Sequence, residues 1–316
     1  MGKVGGNRNF GYGKKMNWAG KNALTDRYGE GHYATRAAHT ERWQQFVAYA
    51  RTLGITDARQ IERGIIERYG QQLAEQVRQG ERTVSYAQNL LSTVNVVLQT
   101  MRGDKALQIS PATLVGQRTH VRSSAPTGME RDRVERAVQV LRDKGEIQTA
   151  AVASLARDLG LRFREASLLD AKGALKQAQT IGKINITEGT KGGRGREVDR
   201  WVQVTERAMQ SLITAAKIQE DARNLVPKGL SFSQWKDHAH HAWSHIAGTY
   251  DLRGFHDLRA AYACERYLRL TGHPAPAVAG ERQASKEDDR TARQIIAQEL
   301  GHGRVDVAAA YVGSAR

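Results

Sequence analysis

Three stretches in the first third of the chain repeat apolar residues every three or four positions, the spacing that gives a helix one apolar face. They cover residues 43–53 (WQQFVAYARTL), 61–77 (IERGIIERYGQQLAEQV) and 84–101 (VSYAQNLLSTVNVVLQTM). Gly80 is suited to end the second helix, and Thr83 or Ser85 to cap the start of the third. Together they predict a small helical domain over residues 26–116.

Polar segments flank this domain. Residues 1–25 begin with a stretch rich in glycine and basic side chains, a composition that cannot bury a core, so we predict a flexible basic arm there. Residues 117–128 (QRTHVRSSAPTG) combine turn formers with basic residues and predict an interdomain linker. Residues 129–316 then form a second, larger domain.

The second domain is predicted to be mainly α with a small antiparallel sheet. Helical spacing of apolar residues recurs at 129–141 and 147–156, and residues 168–170 (LLD) are interpreted as the start of a short strand. Apolar and polar residues alternate at 181–187 (IGKINIT) and 198–204 (VDRWVQV). Several glycines separate these two stretches, which predicts a β-hairpin. Helices follow from residue 206 to the end.

Charge narrows the class of partner. The chain has 48 Lys plus Arg against 33 Asp plus Glu, a net charge of +15 that suits a polyanion, most simply DNA or RNA. A basic ribosomal or chaperone-like protein is the alternative. One cysteine, Cys264, excludes an internal disulfide and a cysteine-based zinc finger. No apolar run approaches a membrane span and no signal peptide is visible, so we expect a cytoplasmic protein, at the bacterial nucleoid if DNA is the partner.

Five short motifs in the C-terminal half supply the groups needed to cut a phosphodiester without a metal or other cofactor. Arg162 and Arg259 can each donate a forked pair of hydrogen bonds to phosphate oxygens. Tyr311 can attack phosphorus, Lys191 can protonate the departing oxygen, and histidines can transfer protons. The motifs are 160–165 (GLRFRE), 190–193 (TKGG), 256–259 (HDLR), 300–302 (LGH) and Tyr311.

The order and spacing of these motifs resemble the tyrosine recombinase family, also called the phage integrase family, over roughly residues 30–316. That family's pattern is G-L-R-x-x-E, a lysine in a β-hairpin, H-x-x-R, and L-G-H followed nine residues later by the tyrosine. His302 and Tyr311 are nine residues apart here. The resemblance implies the catalytic set Arg162, Lys191, His256, Arg259, His302 and Tyr311, with Glu165 orienting Arg162 or a histidine.

Some assignments leave alternatives open. Lys183, Arg194 and Arg196 compete with Lys191 in the hairpin, and Tyr262 and Tyr267 compete with Tyr311, although both precede the L-G-H motif. Two histidines four residues apart, 241 and 245, could chelate a metal, but no Glu or Cys completes a zinc motif, and we predict no metal site. Contacts to DNA outside the catalytic set are predicted for Lys14, Lys15, Arg164, Arg194 and Arg196.

The resemblance also implies a reaction and its partners. Residues 26–116 look like the core-binding domain that precedes the catalytic domain, and the linker lets the two close around duplex DNA. The implied activity is site-specific recombination through a 3′-phosphotyrosyl intermediate, by a homotetramer on paired attachment sites. An accessory directionality or DNA-bending protein is an implied further partner. The chain looks most like integrases of phages or integrative mobile elements.

Two other functions share this pattern. A type IB topoisomerase would use the same chemistry as a monomer to relax supercoils, and a non-catalytic DNA-binding protein could retain the fold. Two features depart from the family pattern. Residues 273–290 (HPAPAVAGERQASKEDDR) lengthen the segment between the H-x-x-R and L-G-H motifs, and we expect an added surface loop or helix start there. Five residues follow Tyr311, so a long C-terminal exchange helix is not expected.

Overall fold

A computed structural model describes residues 7–315, apart from the side chains of Arg194 and Arg196. The chain divides into two compact units, Met1–Thr119 and His120–Arg316. The division falls inside the segment predicted as a linker, 117–128. In the second unit the secondary structure is mainly helical with one two-stranded antiparallel sheet, as the sequence predicted.

Within its described residues, the first unit has five helices and two 3₁₀ turns. The helices are α1 (Met16–Tyr28), α2 (Tyr33–Thr52), α3 (Arg63–Arg78), α4 (Val84–Arg102) and α5 (Pro111–Val115), with 3₁₀ turns at Arg8–Gly11 and Ala58–Gln60. The three stretches with helical spacing lie in or next to α2, α3 and α4. Their apolar faces meet in a core that includes Trp43, Phe46, Leu73 and Leu90. Thr83 caps α4, because its side chain accepts a hydrogen bond from the backbone N–H of Tyr86.

The prediction of a flexible arm is wrong for residues 7–25; residues 1–6 lie outside the described part of the chain. Phe10 and Met16 are buried in the core of the first unit. Asn9 fixes the turn before α1, since its backbone N–H donates to Asp57 and its side-chain oxygen accepts from Ala58 N at 2.7 Å. Composition did not predict this order because only a few apolar side chains of the segment are buried in the core.

Gly20 in α1 lies at a close contact between α1 and α2. A Cβ at residue 20 would lie 2.1 Å from Nε1 of Trp43, which is shorter than any allowed contact. Glycine therefore lets α1 and α2 approach closely, and Trp43 Nε1 then donates to the carbonyl of Met16 at 3.0 Å.

The second unit is built around α7, whose small and aliphatic side chains are buried on almost every side. The helices are α6 (Arg131–Asp143), α7 (Ile147–Leu159), α8 (Phe163–Leu168), α9 (Ala171–Ile181), α10 (Glu206–Gln219), α11 (Phe232–Ala247), α12 (Phe255–Thr271), α13 (Pro276–Ala279), α14 (Lys286–Glu299) and α15 (Ala309–Val312). Further 3₁₀ turns lie at Thr127–Met129, Lys191–Arg196, Gly248–Tyr250 and Val305–Ala308. Helices α10 and α12 pack against α7 and enclose it.

The hairpin has the predicted antiparallel pairing but shorter strands. Strands β1 (Lys183–Asn185) and β2 (Trp201–Gln203) pair with Ile184 opposite Val202, and both of these side chains are buried. The strand predicted at 168–170 is wrong. Leu168 ends α8, and Asp170 caps α9 by accepting from Gly173 N at 3.2 Å. A short apolar run fits a strand and a buried helix end equally well.

Candidate active site

The G-L-R-x-x-E motif lies where α7 ends and α8 begins. Gly160 ends α7 with φ +63°, and a Cβ there would lie 2.4 Å from the Tyr262 ring, so the turn needs glycine. The chain then places Arg162 at the start of α8. Glu165 accepts from Arg162 N at 2.7 Å and from Arg162 Nη1 at 2.5 Å, which fixes the arginine both by backbone and by side chain.

The Glu165 carboxylate is fully buried and faces three guanidinium groups. Besides Arg162, the Nη1 atom of Arg200 lies 2.7 Å from one carboxylate oxygen and Nη1 of Arg259 lies 3.4 Å from the other. Burial acts to raise the pKa of Glu165, but the charges of Arg200, Arg259 and Arg162 outweigh it and lower that pKa to about 2. Glu165 is therefore a carboxylate at neutral pH.

Arg259 on α12 forms hydrogen bonds to residues of three other motifs. Its side chain is fully buried, and its two Nη atoms donate to the carbonyls of Gly160 and Leu300, the latter at 2.5 Å. Its Nε atom donates to the Tyr311 hydroxyl at 3.4 Å. Burial lowers the pKa of Arg259 to about 10, so the group remains charged at neutral pH. The H-x-x-R arginine thus holds G-L-R, L-G-H and the tyrosine in one place.

Tyr311 on α15 presents its hydroxyl between two of the predicted catalytic groups. The hydroxyl oxygen lies 3.2 Å from His302 Nε2 and 3.4 Å from Arg259 Nε. Burial, followed by the charges of Arg259, Arg162 and Arg200, lowers the pKa of His302 to about 4. His302 is therefore neutral at pH 7, and in the tautomer that leaves Nε2 unprotonated this nitrogen can accept a hydrogen bond from the phenol.

The segment after Tyr311 is anchored by the lengthened region between the H-x-x-R and L-G-H motifs. Arg293 on α14 donates to the carbonyls of Gly313 and Ser314, each at 2.9 Å. Gly313 also packs so closely on α13 that a Cβ would lie 2.4 Å from Ala277 N. Residues 273–290 therefore form α13 and the start of α14, and part of this region holds the tyrosine segment.

His256 contacts the tyrosine ring and not its hydroxyl. The side chain is exposed, and its ring centroid lies 5.3 Å from that of Tyr311. Partial desolvation, then the charges of Arg259, Arg122 and Arg162, lower the pKa of His256. The neighbouring Asp257 is buried and accepts from Arg122, Thr127 and Gly128 in the segment predicted as a linker.

Arg122 connects the same segment to the tyrosine helix. Its backbone N–H donates to the carbonyl of Ala309, the first residue of α15, at 2.9 Å, while its side chain pairs with Asp257. The start of the second unit is therefore bonded both to the H-x-x-R motif and to the helix of the proposed nucleophile. No sequence motif predicted a role for Arg122 or Asp257.

The hairpin loop places Lys191 beside Arg162 and His302. These three side chains line one cavity of about 310 Å³ together with Arg200. Lys183 lies on β1 and does not belong to the described lining of that cavity. Gly189 fixes the loop against α8: its φ is +72°, and a Cβ there would lie 2.6 Å from the carbonyl oxygen of Arg164. Among the lysines considered, the cavity favours Lys191.

The other predicted DNA contacts have surface positions where they are described. Lys14 and Lys15 are exposed just before α1, in the first unit. Arg164 is exposed on α8, with its guanidinium carbon 4.6 Å from the Phe232 ring centroid. The side chains of Arg194 and Arg196 lie outside the description. Contact of these residues with DNA stays a prediction.

The competing residues lie in structural positions. Tyr262 and Tyr267 are buried, and their hydroxyls donate to Glu299 and Asp289 at 2.9 and 2.7 Å. Burial, aided by these carboxylates, raises the pKa of both phenols. The histidines at 241 and 245 are exposed, and within the described residues no three His, Cys, Asp or Glu side chains form a group that could hold a metal.

Arg200 is a further site residue that the motifs did not predict. A signal was present, because in VDRWVQV the alternating pattern puts Arg200 on the same strand face as the buried Val202. A charged residue on the buried face of a strand needs a buried partner. In the structure that partner is Glu165.

The geometry defines a class of site. Arg162, Arg200, Lys191 and a neutral His302 line one cavity, and His302 and the buried Arg259 contact the Tyr311 hydroxyl, so the arrangement combines a cationic cavity with a nearby phenol oxygen. Residues 116–265 match the family model for integrases. A comparison with curated protein sequences found no match. In the described residues, no helix is long and apolar enough to cross a membrane.

Solved structures share this fold at low sequence identity. The Tn1549 transposon integrase in complex with circular intermediate DNA is 11% identical, with a TM-score of 0.61 and 96% of each chain covered. A lambda integrase dimer bound to a core site is 13% identical, with a TM-score of 0.57 over 92% of this chain and 74% of that one. A lambda integrase tetramer bound to a Holliday junction is 14% identical, with a TM-score of 0.55 over the same shares.

The family-model match over residues 116–265 and the fold shared with solved integrases point to the same class of protein, the integrases.

Proposed function

We propose that this protein is a site-specific DNA recombinase that cuts and rejoins DNA through a 3′-phosphotyrosyl link to Tyr311, and that it serves a mobile element as its integrase. The observation that carries the proposal is the position of the Tyr311 hydroxyl, 3.2 Å from a neutral His302 and 3.4 Å from the buried Arg259. A phenol held there can lose its proton to the histidine while an arginine stabilises the oxygen.

The reaction follows from the groups around the cavity. The Tyr311 oxygen attacks phosphorus, the new O–P bond forms, and the bond to the 5′-oxygen breaks. Arg162 and Arg259 stabilise the negative charge that grows on the phosphate oxygens. Lys191, which lines the same cavity as Arg162, gives its proton to the leaving 5′-oxygen. The 5′-hydroxyl of a partner strand then reverses these steps, so neither ATP nor a metal enters the reaction.

The contacts favour a division of histidine roles different from the one based on sequence. By resemblance to the family, His302 is expected to stabilise the phosphate charge and His256 to assist either the tyrosine proton or the phosphate. In the structure His302 has its ring nitrogen at the phenol oxygen, whereas His256 meets the ring of Tyr311. We therefore assign the phenol proton to His302, and we assign to His256 the placement of the ring and contact with the phosphate.

The proposed partners are duplex DNA at specific attachment sites and further copies of this chain. The net charge of +15 supplies the electrostatic attraction for DNA. Lambda integrase has been solved as a tetramer on a Holliday junction, and we propose the same stoichiometry on paired sites here. An accessory directionality or DNA-bending protein is the further partner.

Capture of the covalent intermediate tests the function. The full chain is incubated with a library of nicked duplexes of randomised sequence, adducts are trapped with sodium dodecyl sulfate, and the linked DNA and peptide are sequenced. We expect enriched DNA sequences attached by their 3′-phosphate to Tyr311, and no adduct with Tyr311→Phe. A link to another tyrosine would overturn the site assignment.

The same experiment separates the alternatives. Adducts without sequence enrichment, accompanied by relaxation of supercoiled plasmid, would indicate a topoisomerase. DNA binding without any adduct would indicate a non-catalytic protein of this fold. Two enriched half-sites flanking a short spacer, and joined products from two duplexes, are the expected results for a recombinase.

A further inference from the structure

Arg200 is a buried arginine outside the five motifs. It directly precedes β2 and is 5% exposed. Its Nε atom donates to the carbonyl of Glu299 at 2.7 Å, at the end of α14 just before the L-G-H motif. Gly301 of that motif packs on it so closely that a Cβ would lie 2.8 Å from Arg200 Cδ. Arg200 therefore joins the hairpin strand to the L-G-H loop.

The contact between Arg200 and Glu165 is one of charge. Nη1 lies 2.7 Å from Glu165 Oε1, an ion-pair contact, and Nη2 meets no hydrogen-bond partner among the described residues. In the buried surroundings of Glu165 such an attraction is weakly screened. The arginine therefore acts on the carboxylate mainly through its positive charge.

Charge balance shows why a third arginine is needed. Glu165 also lies 2.5 Å from Arg162 and 3.4 Å from Arg259, the two arginines that the proposed reaction assigns to the phosphate. With those two arginines alone, the carboxylate would cancel one of their charges. A phosphodiester carries one negative charge and gains a second as a deprotonated tyrosine oxygen adds to it. With Arg200 present, three guanidinium groups and one carboxylate leave two positive charges, which match that transition state.

We propose that Arg200 is a positioning residue that neutralises Glu165, so that Arg162 and Arg259 keep their full charge for the scissile phosphate. Glu165 can then hold Arg162 by its backbone and side chain without weakening phosphate binding. Arg200 lines the cavity, but both of its Nη atoms are buried, so we assign it a role through Glu165 and no contact with the substrate. This inference rests on the proposed function.

A charge-removal cycle tests this role. The variants are Arg200→Met, Glu165→Gln and the double variant, compared by the rate of adduct formation at saturating DNA. We expect Arg200→Met to slow the reaction about 100-fold, the scale for loss of one preorganised electrostatic group. The double variant should recover at least about tenfold, because removing the carboxylate charge frees Arg162 and Arg259 again. The amide introduced by Glu165→Gln retains an oxygen that can accept from Arg162 N.

Arg200→Lys and Arg157→Met complete the design. Lysine keeps the charge but loses the planar fork, so it should stay within about tenfold of the wild-type rate if charge is what matters. Arg157 is buried beside Glu265 and outside the cavity, so its loss should lower the unfolding temperature with the adduct rate unchanged. All rates are taken below the unfolding temperature of every variant.

Two outcomes would overturn the inference. One is an Arg200→Met defect that Glu165→Gln does not relieve, and the other is an Arg200→Lys defect as large as that of Arg200→Met. Either would mean that Arg200 acts by packing. Failure of the proposed function looks different, because the wild-type chain itself would then give no adduct at Tyr311.

Discussion

His302 should make the stability of the second unit depend on pH in a way that can be isolated. Burial and then the charges of Arg259, Arg162 and Arg200 lower its pKa from 6.5 to about 4, while the Glu165 carboxylate opposes them. In the unfolded chain the ordinary value of 6.5 applies. The unfolded state therefore takes up a proton at a pH where the folded state does not, and stability is lost as the pH falls from about 6.5 towards 4.

The size of the effect follows from the two pKa values. The full difference between 6.5 and about 4 corresponds to about 3 kcal/mol of unfolding free energy. Between pH 7 and pH 5 the loss should be about 2 kcal/mol, because protonation of the folded state begins only near pH 4. Glu165, with its pKa lowered to about 2, adds a loss at lower pH, below its ordinary value of 4.5.

Urea denaturation at the two pH values measures the effect on the wild-type chain and on His302→Gln. Other histidines with lowered pKa values, His39, His240 and His256, add to the wild-type loss and persist in the variant. The difference between the two chains isolates His302: the variant should lose about 2 kcal/mol less on acidification. Loss of the contact with Tyr311 lowers stability at both pH values and cancels in this comparison.

His245→Gln is the matched control, since it removes an exposed histidine of α11. It should lose as much stability on acidification as the wild type. Equal pH sensitivity of the wild type and His302→Gln would refute the reasoning, and with it the claim that the arginines keep His302 neutral beside the phenol.

Three further perturbations test other parts of the structure. Lys191→Ala should form adducts slowly on ordinary DNA and recover when sulfur replaces the 5′-bridging oxygen, because a thiolate leaves without a proton; rescue of Lys183→Ala instead would move the general acid. Gly189→Ala should slow adduct formation and destabilise the folded chain by about 2 kcal/mol. Gly192 has a similar positive φ but lies in open space, so Gly192→Ala should add only backbone strain. Equal effects of the two substitutions would contradict the packing argument. A chain that begins at Asn22 should show a lower unfolding temperature of the first unit, and an unchanged temperature would restore the flexible-arm prediction.

The sequence predicted those parts of the site whose spacing is set by local structure. The turn at Gly160, the hairpin and the interval from His302 to Tyr311 each lie within one short segment, so a motif captures them. The role of Arg200 could not be predicted because it depends on the carboxylate of Glu165, 35 positions earlier in the chain, which only tertiary packing brings within 2.7 Å. The burial of Phe10 could not be predicted for a similar reason, since the residues it packs with lie in helices far along the chain.

The strand predicted at residues 168–170 is wrong because so short an apolar run carries too little information. Residues 168–170 are a brief apolar run between two helices, and neither length nor period separates a strand from a helix end in three residues. The hairpin was predicted correctly because its alternation extends over two matched segments, with glycines between them. The competing lysines of that hairpin could be ranked only once the strand register and the cavity lining were known.

The lengths of the contacts around Arg259 indicate which of them the reaction changes. Both Nη atoms are held by short bonds to backbone carbonyls, including one of 2.5 Å to Leu300, and these fix the guanidinium plane. The Nε contact with Tyr311 is long, at 3.4 Å, and so is the approach of His302 to the same hydroxyl, at 3.2 Å. Long contacts cost less free energy to exchange than short ones. In the proposed reaction, the contacts of the Tyr311 hydroxyl are therefore the ones we expect a bound phosphate to exchange, while Arg259 keeps its bonds to the two carbonyls.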